Sequence, residues 1–155
     1  AIVAAMKAAH PYEEVAYDVV ALSNRHPQTG SGILGELVRP MMEEAFLKLL
    51  KSTFHLSIIR HTQLTGRPIK KIALCGGAGS FLIANALRAS ADIFITADIK
   101  YHEFFDAIGR MVIADIGHFE SEQFTISLLQ EVLEQQFPTF AVLKTEVRTN
   151  PVFSF

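Results

Sequence analysis

The sequence has little of what characterises secreted or membrane-spanning proteins. Its 155 residues contain one cysteine, Cys75, and no tryptophan. A single cysteine excludes an internal disulfide bond and fits a reducing compartment, so we predict a cytoplasmic location. No apolar run reaches the ~18 residues of a membrane-spanning helix. We therefore expect no membrane partner.

Charge is nearly balanced over the chain but unevenly distributed along it. The formal net charge of −2 gives no argument for nucleic-acid binding. Residues 51–71 contain five Lys or Arg and no Asp or Glu, whereas residues 101–138 contain seven Asp or Glu and one Arg. Two interpretations remain open. The two stretches are solvated faces, or the acidic one surrounds a cation and the basic one faces an anionic ligand or another subunit.

Apolar residues are abundant. The chain is 50% hydrophobic with twelve phenylalanines, enough for the core of one domain, or of one domain plus part of another. The mean hydropathy of +0.27 is high for a soluble monomer, so we expect apolar surface to meet a partner and the chain to self-associate. The chain opens at Ala1 in an uncapped helical pattern, which we interpret as a segment of a longer protein.

Strand and helix patterns alternate, which predicts an α/β fold with a mostly parallel sheet and flanking helices. A first helix should stop at His10-Pro11, because the residue before a proline disfavours the helical conformation. The Gly-, Pro- and Asn-containing stretch 23–32 predicts a loop and a domain boundary. The predicted strands are 15–22, 33–38, 56–60, 71–75, 92–96, 111–115 and 141–147, and the other predicted helices are 43–54, 80–89, 101–108 and 120–137.

The most informative motif follows the predicted strand 111–115. His118 lies at the start of a helical pattern and Glu122 comes four residues later, so both side chains project from one helix face. An imidazole nitrogen and a carboxylate at this spacing can bind one divalent metal ion. Asp115, just before the turn, is a candidate for supporting these ligands. The alternative is a helix-capping histidine beside a solvated glutamate.

Polar groups also follow the two preceding strands. Asp98 and His102 fall at the carboxyl end of strand 92–96, where open α/β sheets place their sites, although Asp98 could simply cap the next helix. Gly77, Gly79 and Ser80 follow strand 71–75. Free amides there could contact a phosphate or another polar ligand, or the glycines could serve only a tight turn. Cys75 has no neighbouring histidine or cysteine, so we predict an inert thiol.

Four stretches taken together go beyond a generic α/β pattern. In this order they resemble motifs of the NIF-three-like family of dinuclear metal proteins, also called the YbgI family, many of whose members carry the name GTP cyclohydrolase 1 type 2 homolog. The resemblance covers nearly the whole chain. The stretches are residues 9–18, 75–80, 96–102 and 115–122.

The resemblance implies a core of two related α/β halves around a cleft that holds two divalent ions, with Zn, Fe or Mn as candidates. It implies that residues 1–27 are the second half of an inserted PII/CutA-like domain with a ferredoxin-like fold, and that residues 28–155 are the C-terminal lobe of the core. Family ligands correspond to His118 and Glu122, and His102 matches a histidine that lines the cleft. The family's paired histidines have no counterpart here. We therefore expect half of a metal site, with weak or absent metal in this chain alone.

Two functions follow from the resemblance. The first is a metal-dependent hydrolase of the GTP cyclohydrolase type in the full-length protein, inactive as this fragment, in which Asp98 or His102 handles protons. The alternative is a non-catalytic regulatory or scaffold protein, whose PII-like module binds a small-molecule ligand or a partner. The resemblance also implies a homo-oligomer, a hexamer built from dimers.

Overall fold

The computed structural model describes residues 1–21 and 29–153. The chain divides into two compact units, Ala1–Gly30 and Ser31–Phe155. The predicted boundary between residues 27 and 28 lies outside the described residues.

The first unit contains the helix α1, Ile2–Ala9. As predicted, α1 ends before Pro11, and the backbone of His10 is extended with φ −82° and ψ 139°. The predicted strand 15–22 is wrong for residues 15–21, and Leu22 lies outside the described residues. Apolar β-branched residues favour a strand, but a strand also needs a neighbour for its backbone hydrogen bonds, and none pairs with residues 15–21 within the described part of the chain.

The second unit is built on a five-stranded sheet in the order β1-β3-β4-β5-β2. The three central strands are parallel, and β1 and β2 pair antiparallel at the two edges. The predicted α/β class with a mostly parallel sheet is confirmed. The strands are β1 (Ile33–Met41), β2 (Arg60–His61), β3 (Ile69–Ala78), β4 (Ile93–Ala97) and β5 (Val112–Asp115).

Four α-helices and two 3₁₀-helical segments connect the described strands or follow them. The helix predicted at 80–89 begins as a 3₁₀ turn, and the helix predicted at 101–108 is 3₁₀ throughout. The predicted strand 56–60 shrinks to the two-residue β2, and the strand predicted at 141–147 is absent. The helices are α2 (Glu43–Thr53), α3 (Ile83–Arg88), α4 (His118–Glu122) and α5 (Thr125–Gln136), and the 3₁₀ segments are Ser80–Leu82 and Tyr101–Ala107.

The long helix predicted at 120–137 is two helices, α4 and α5, separated at Gln123-Phe124. The amide nitrogen Nε2 of Gln123 donates to the carbonyl oxygens of Phe54 and Glu120 at 2.9 and 3.0 Å. The Phe124 ring packs edge-on against the Phe54 ring, with centroids 5.9 Å apart. The apolar pattern continues through this point, so the sequence alone does not reveal the break.

Apolar side chains cover both faces of β4 and β5. On β4, Phe94 belongs to one buried cluster, and Ile93 and Ile95 belong to the other. Burial on both faces explains why β4 and β5 are mainly apolar in sequence. Because β3, β4 and β5 are parallel, their carboxyl ends meet at one edge, which brings the loops after these strands together.

Candidate metal centre

The structure brings His118 together with two carboxylates at this edge of the sheet. His118 opens α4, directly after the turn at Gly117 that follows β5. Its Nδ1 lies 2.6 Å from Oδ2 of Asp98, in the loop after β4. Its Nε2 lies 3.5 Å from Oε2 of Glu122, one helical turn further along α4. The predicted i, i+4 geometry of His118 and Glu122 is therefore present, and Asp98 completes a line of three side chains.

The hydrogen bond that His118 donates to Asp98 determines which imidazole nitrogen is available to bind a ligand. An ionised carboxylate only accepts, so Nδ1 of His118 carries the proton and donates it to Asp98. In the neutral ring, Nε2 then presents its lone pair toward Glu122, which is the tautomer of a metal-binding histidine. The hydrogen bond to Asp98, together with the negative charges of Asp98 and Glu122, raises the pKa of His118, although desolvation opposes the shift.

Gly77 makes room for this pair. Its φ of +63° is in the left-handed region, and a Cβ there would lie 2.5 Å from Oε1 of Glu122 and 3.3 Å from Nε2 of His118. The amide of Gly77 is not free for a ligand, because it donates to Oγ of Ser121 at 2.9 Å. Gly77 therefore contributes to the site by lacking a side chain, which leaves space for Glu122 and His118.

The other two residues of the glycine loop are occupied by the fold. A Cβ on Gly79 would collide with Oγ1 of Thr96 and with the Cys75 side chain. The hydrogen bond from the Lys100 amide lowers the pKa of Glu103, and the hydroxyl of Ser80 adds a smaller lowering, although desolvation opposes the shift. These contacts favour the tight-turn interpretation of the loop.

Asp98 and His102 were predicted together as proton-handling residues, but the structure gives them different surroundings. Asp98 is hydrogen-bonded to His118 instead of capping the following 3₁₀ segment. The amide of Lys100, the residue just before that segment, donates to Glu103 at 2.8 Å. His102 packs edge-on against Tyr101, with ring centroids 5.3 Å apart. Within the described residues, His102 is not among those that line the cleft beside His118.

Ser121 was not singled out from the sequence, although it bridges two parts of the site. Its hydroxyl donates to the carbonyl of His118 at 2.8 Å and accepts from the amide of Gly77. The i, i+3 spacing from His118 is a signal for the first bond. Nothing local signals the second, because Gly77 is 44 residues away in sequence.

A cleft of about 860 Å³ opens beside these side chains. The lining includes the apolar side chains of Ile58, Ile126 and Leu129. The charged groups are strongly unbalanced, since the lining includes five carboxylates but only Arg60 among Lys and Arg residues. Such a lining favours a cation over an anion. The carboxylates are those of Asp98, Asp115, Glu120, Glu122 and Glu146.

The pair His118–Glu122 fits one divalent ion. Two ligands of a tetrahedral zinc ion lie roughly 3.4 Å apart when each bond is about 2.1 Å, and the observed separation of Nε2 and Oε2 is 3.5 Å. Within residues 1–21 and 29–153, no group of three or more His, Cys, Asp or Glu side chains is arranged to hold a metal ion.

Comparison with known proteins identifies the family. The sequence profile of Duf34/NIF3 (NGG1p interacting factor 3) matches residues 4–151. The chain belongs to the Duf34/NIF3 family. This confirms the resemblance drawn from its four motifs.

Named relatives and solved structures agree with this membership in the Duf34/NIF3 family. The chain is 35% identical over 150 residues to the GTP cyclohydrolase 1 type 2 homolog of Staphylococcus epidermidis, covering 92% of this chain and 40% of that protein. For the Bacillus subtilis protein of the same name, the identity is 32% over 161 residues, covering 100% of this chain and 42% of that protein. A Bacillus cereus protein related to NIF3 superposes with a TM-score of 0.71 at 30% identity, covering 99% of this chain and 43% of that one.

This NIF3-family chain spans about two fifths of the length of the curated relatives it matches. Within the described ranges, none of its helices combines the length and apolar composition needed to cross a bilayer.

We predict that the single thiol of this NIF3-family chain is unreactive in the folded state. Cys75 is 4% exposed, and burial raises the pKa of its thiol, assisted by the charge of Glu122. At about pH 8, near the ordinary thiol pKa, little thiolate should form. Mass spectrometry after iodoacetamide treatment should show slow labelling of the native chain and rapid labelling in denaturant. Native labelling as fast as that of a free cysteine would contradict the prediction.

Proposed function

We propose that the full-length protein is a divalent-metal-dependent hydrolase, to which this chain contributes His118 and Glu122 as metal ligands. The observation that carries the proposal is the 3.5 Å separation of Nε2 and Oε2 on one wall of a carboxylate-lined cleft. A bound divalent ion supplies an activated water and a positive charge for a developing oxyanion. The remaining protein ligands would come from outside this chain, from a second lobe or another subunit.

In this proposal, other residues of this chain would hold the two metal ligands in place and orient them toward the cleft. Asp98 accepts a hydrogen bond from Nδ1–H and so leaves Nε2 of His118 facing the cleft. Ser121 ties the start of α4 to the loop after β3, which fixes the helix that carries both proposed ligands. The apolar lining residues Ile58, Ile126 and Leu129 would exclude water from part of a bound substrate.

The substrate class rests on the names of the relatives. Because curated relatives are called GTP cyclohydrolase 1 type 2 homologs, ring-opening of GTP is the first reaction to assay, followed by hydrolysis of simple phosphoesters. A purine nucleotide carries polyphosphate, which the carboxylates of this cleft would repel. Metal ions that offset these charges would therefore be needed for binding as well as for chemistry.

We expect Glu122→Gln in the full-length protein to weaken binding of Zn²⁺ or Mn²⁺ and to abolish any metal-dependent turnover. An amide is a poor ligand for these ions, so the loss in affinity should be at least the 10–100-fold typical of losing a supporting group. Equilibrium dialysis with elemental analysis measures the first effect, and assays on GTP and phosphoesters measure the second. Glu131→Gln, an exposed change on α5, is the matched control and should leave both unchanged.

Each outcome of this experiment has a distinct meaning. Full metal occupancy in Glu122→Gln would overturn the ligand assignment. Metal bound through Glu122 without turnover of either substrate class would reject the hydrolase and favour a regulatory or scaffold protein that uses the metal for ligand binding.

A further inference from the structure

We propose that Arg60 and Asp115 form a clamp that positions Asp98 and His118 by joining the two loops that carry them. We call this pair the Arg60–Asp115 clamp. The inference goes beyond the proposed hydrolysis. It rests on the proposed role of His118 as a ligand, but its test observes the imidazole itself and requires no metal.

Asp115 provides the junction between the two loops. It is the last residue of β5 and is 6% exposed. Its Oδ1 accepts the amide of Gly117, which precedes His118, at 3.1 Å. Its Oδ2 accepts the amide of Ile99, which follows Asp98, at 3.1 Å. One carboxylate therefore fixes the backbone beside each member of the Asp98–His118 pair.

Arg60 completes the clamp from the neighbouring strand β2. Its Nη1 lies 3.4 Å from Oδ2 of Asp115, and its Nη2 donates to the carbonyl of Ile99 at 2.7 Å. The guanidinium lies over the Phe104 ring, 5.2 Å from its centroid. Ile99 is thus held at both its N–H and its C=O. The positive charge of Arg60 also compensates a carboxylate that would be costly to bury alone.

The clamp acts on a conformation that does not persist by itself. Asp98 has a φ of +56°, in the left-handed region that non-glycine residues rarely adopt and that surrounding structure must impose. If Ile99 were released, Asp98 could return to an ordinary conformation and its carboxylate would leave Nδ1 of His118. The imidazole would then lose the partner that selects its ligand tautomer.

The test is Asp115→Asn, which keeps the size of the side chain but gives it only one acceptor atom. Long-range ¹H–¹⁵N correlation spectra at about pH 9, above the ordinary imidazole pKa, report the tautomer of His118, whose signal is identified by its absence in His118→Gln. We expect the wild type to show the Nδ1–H form alone and the variant to gain the Nε2–H form. Exchange protection of the Ile99 and Gly117 amides should fall by about tenfold or more.

Two further variants complete the design. Arg60→Met removes the other half of the clamp at a side chain that is 55% exposed, so this variant should fold even if Asp115→Asn does not. We expect it to produce the same change in tautomer. Arg67→Met is the matched control, because Arg67 also donates to a distant backbone carbonyl, that of Arg110 at 2.6 Å, but does not line the cleft. It should leave His118 unchanged.

The inference is overturned if His118 keeps its single tautomer in a folded Asp115→Asn or, should that variant not fold, in Arg60→Met. Lower stability with an unchanged tautomer would show that the clamp is only structural. If the variant changes the tautomer but the wild-type full-length protein binds no metal, the clamp is retained and the proposed function is rejected.

Discussion

Gly77→Ala is expected to displace the Glu122 carboxylate from His118 while costing the fold only about 1–2 kcal/mol. That cost is the usual penalty for a non-glycine residue in the left-handed region, where Gly77 has a φ of +63°. The added Cβ would approach Oε1 of Glu122 to 2.5 Å. Because this atom is at the end of a flexible side chain, the carboxylate should swing away at little cost.

Gly79→Ala is the matched control in the same loop, because it adds a steric clash with buried groups but no backbone strain. The φ of Gly79 is −107°, so alanine meets no backbone strain there. Its Cβ would instead approach Sγ and Cβ of Cys75 to 2.9 Å and would collide with Thr96, groups that are buried and cannot move freely. Overpacking of this kind costs about 1–3 kcal/mol. We expect the greater loss of stability here, with the His118–Glu122 pair intact.

Urea denaturation of the two variants measures stability, and their crystal structures measure the separation of Nε2 and Oε2. If Gly77→Ala retained the 3.5 Å separation, the glycine would be required only by the turn. In the full-length protein the same variant should weaken metal binding, because the displaced carboxylate is the proposed ligand.

The parts of the fold that were predictable from the sequence are those with local causes. The strands β4 and β5 are buried on both faces, which makes each of them a mainly apolar run. The His118–Glu122 pair was also predictable, because i, i+4 geometry is a property of one helix. In both cases the pattern and the structure are related without reference to distant residues.

The errors arose where contacts between residues far apart in sequence determine the structure. Residues 141–147 have the composition of a strand, but they pair with no strand of the described sheet, whose edges are β1 and β2. The bond between Asp98 and His118 joins residues 20 apart, and the bond between Ser121 and Gly77 joins residues 44 apart. No local periodicity encodes such contacts.

Phe94→Ala is expected to destabilise the fold by about 3–5 kcal/mol. Phe94 lies on the central strand β4 and is 1% exposed. Truncating a buried phenylalanine loses its apolar transfer free energy and adds the cost of whatever cavity remains. That second cost depends on whether the neighbours can move into the space.

The cluster that contains Phe94 has side chains of unequal reach. It includes four alanines, whose single methyl groups cannot reach far into a vacated ring site, beside larger side chains such as Met111 and Ile113. Urea denaturation should show a lower midpoint with an unchanged slope. Phe81→Ala, at a side chain 64% exposed, is the control and should change stability by no more than about 0.5 kcal/mol. The four alanines are Ala73, Ala86, Ala91 and Ala107.

Phe94→Ala should also affect the candidate metal centre. β4 ends at Ala97, and Asp98 follows directly, so the strand that Phe94 anchors also carries the carboxylate that orients His118. Loosening β4 should let this loop open more often, and exchange of the Ile99 amide should quicken together with that of the β4 amides. A loss of stability below about 1.5 kcal/mol would mean that the core closes around the missing ring. In that case the loop that carries Asp98 would depend less on the Phe94 ring than the burial of this side chain suggests.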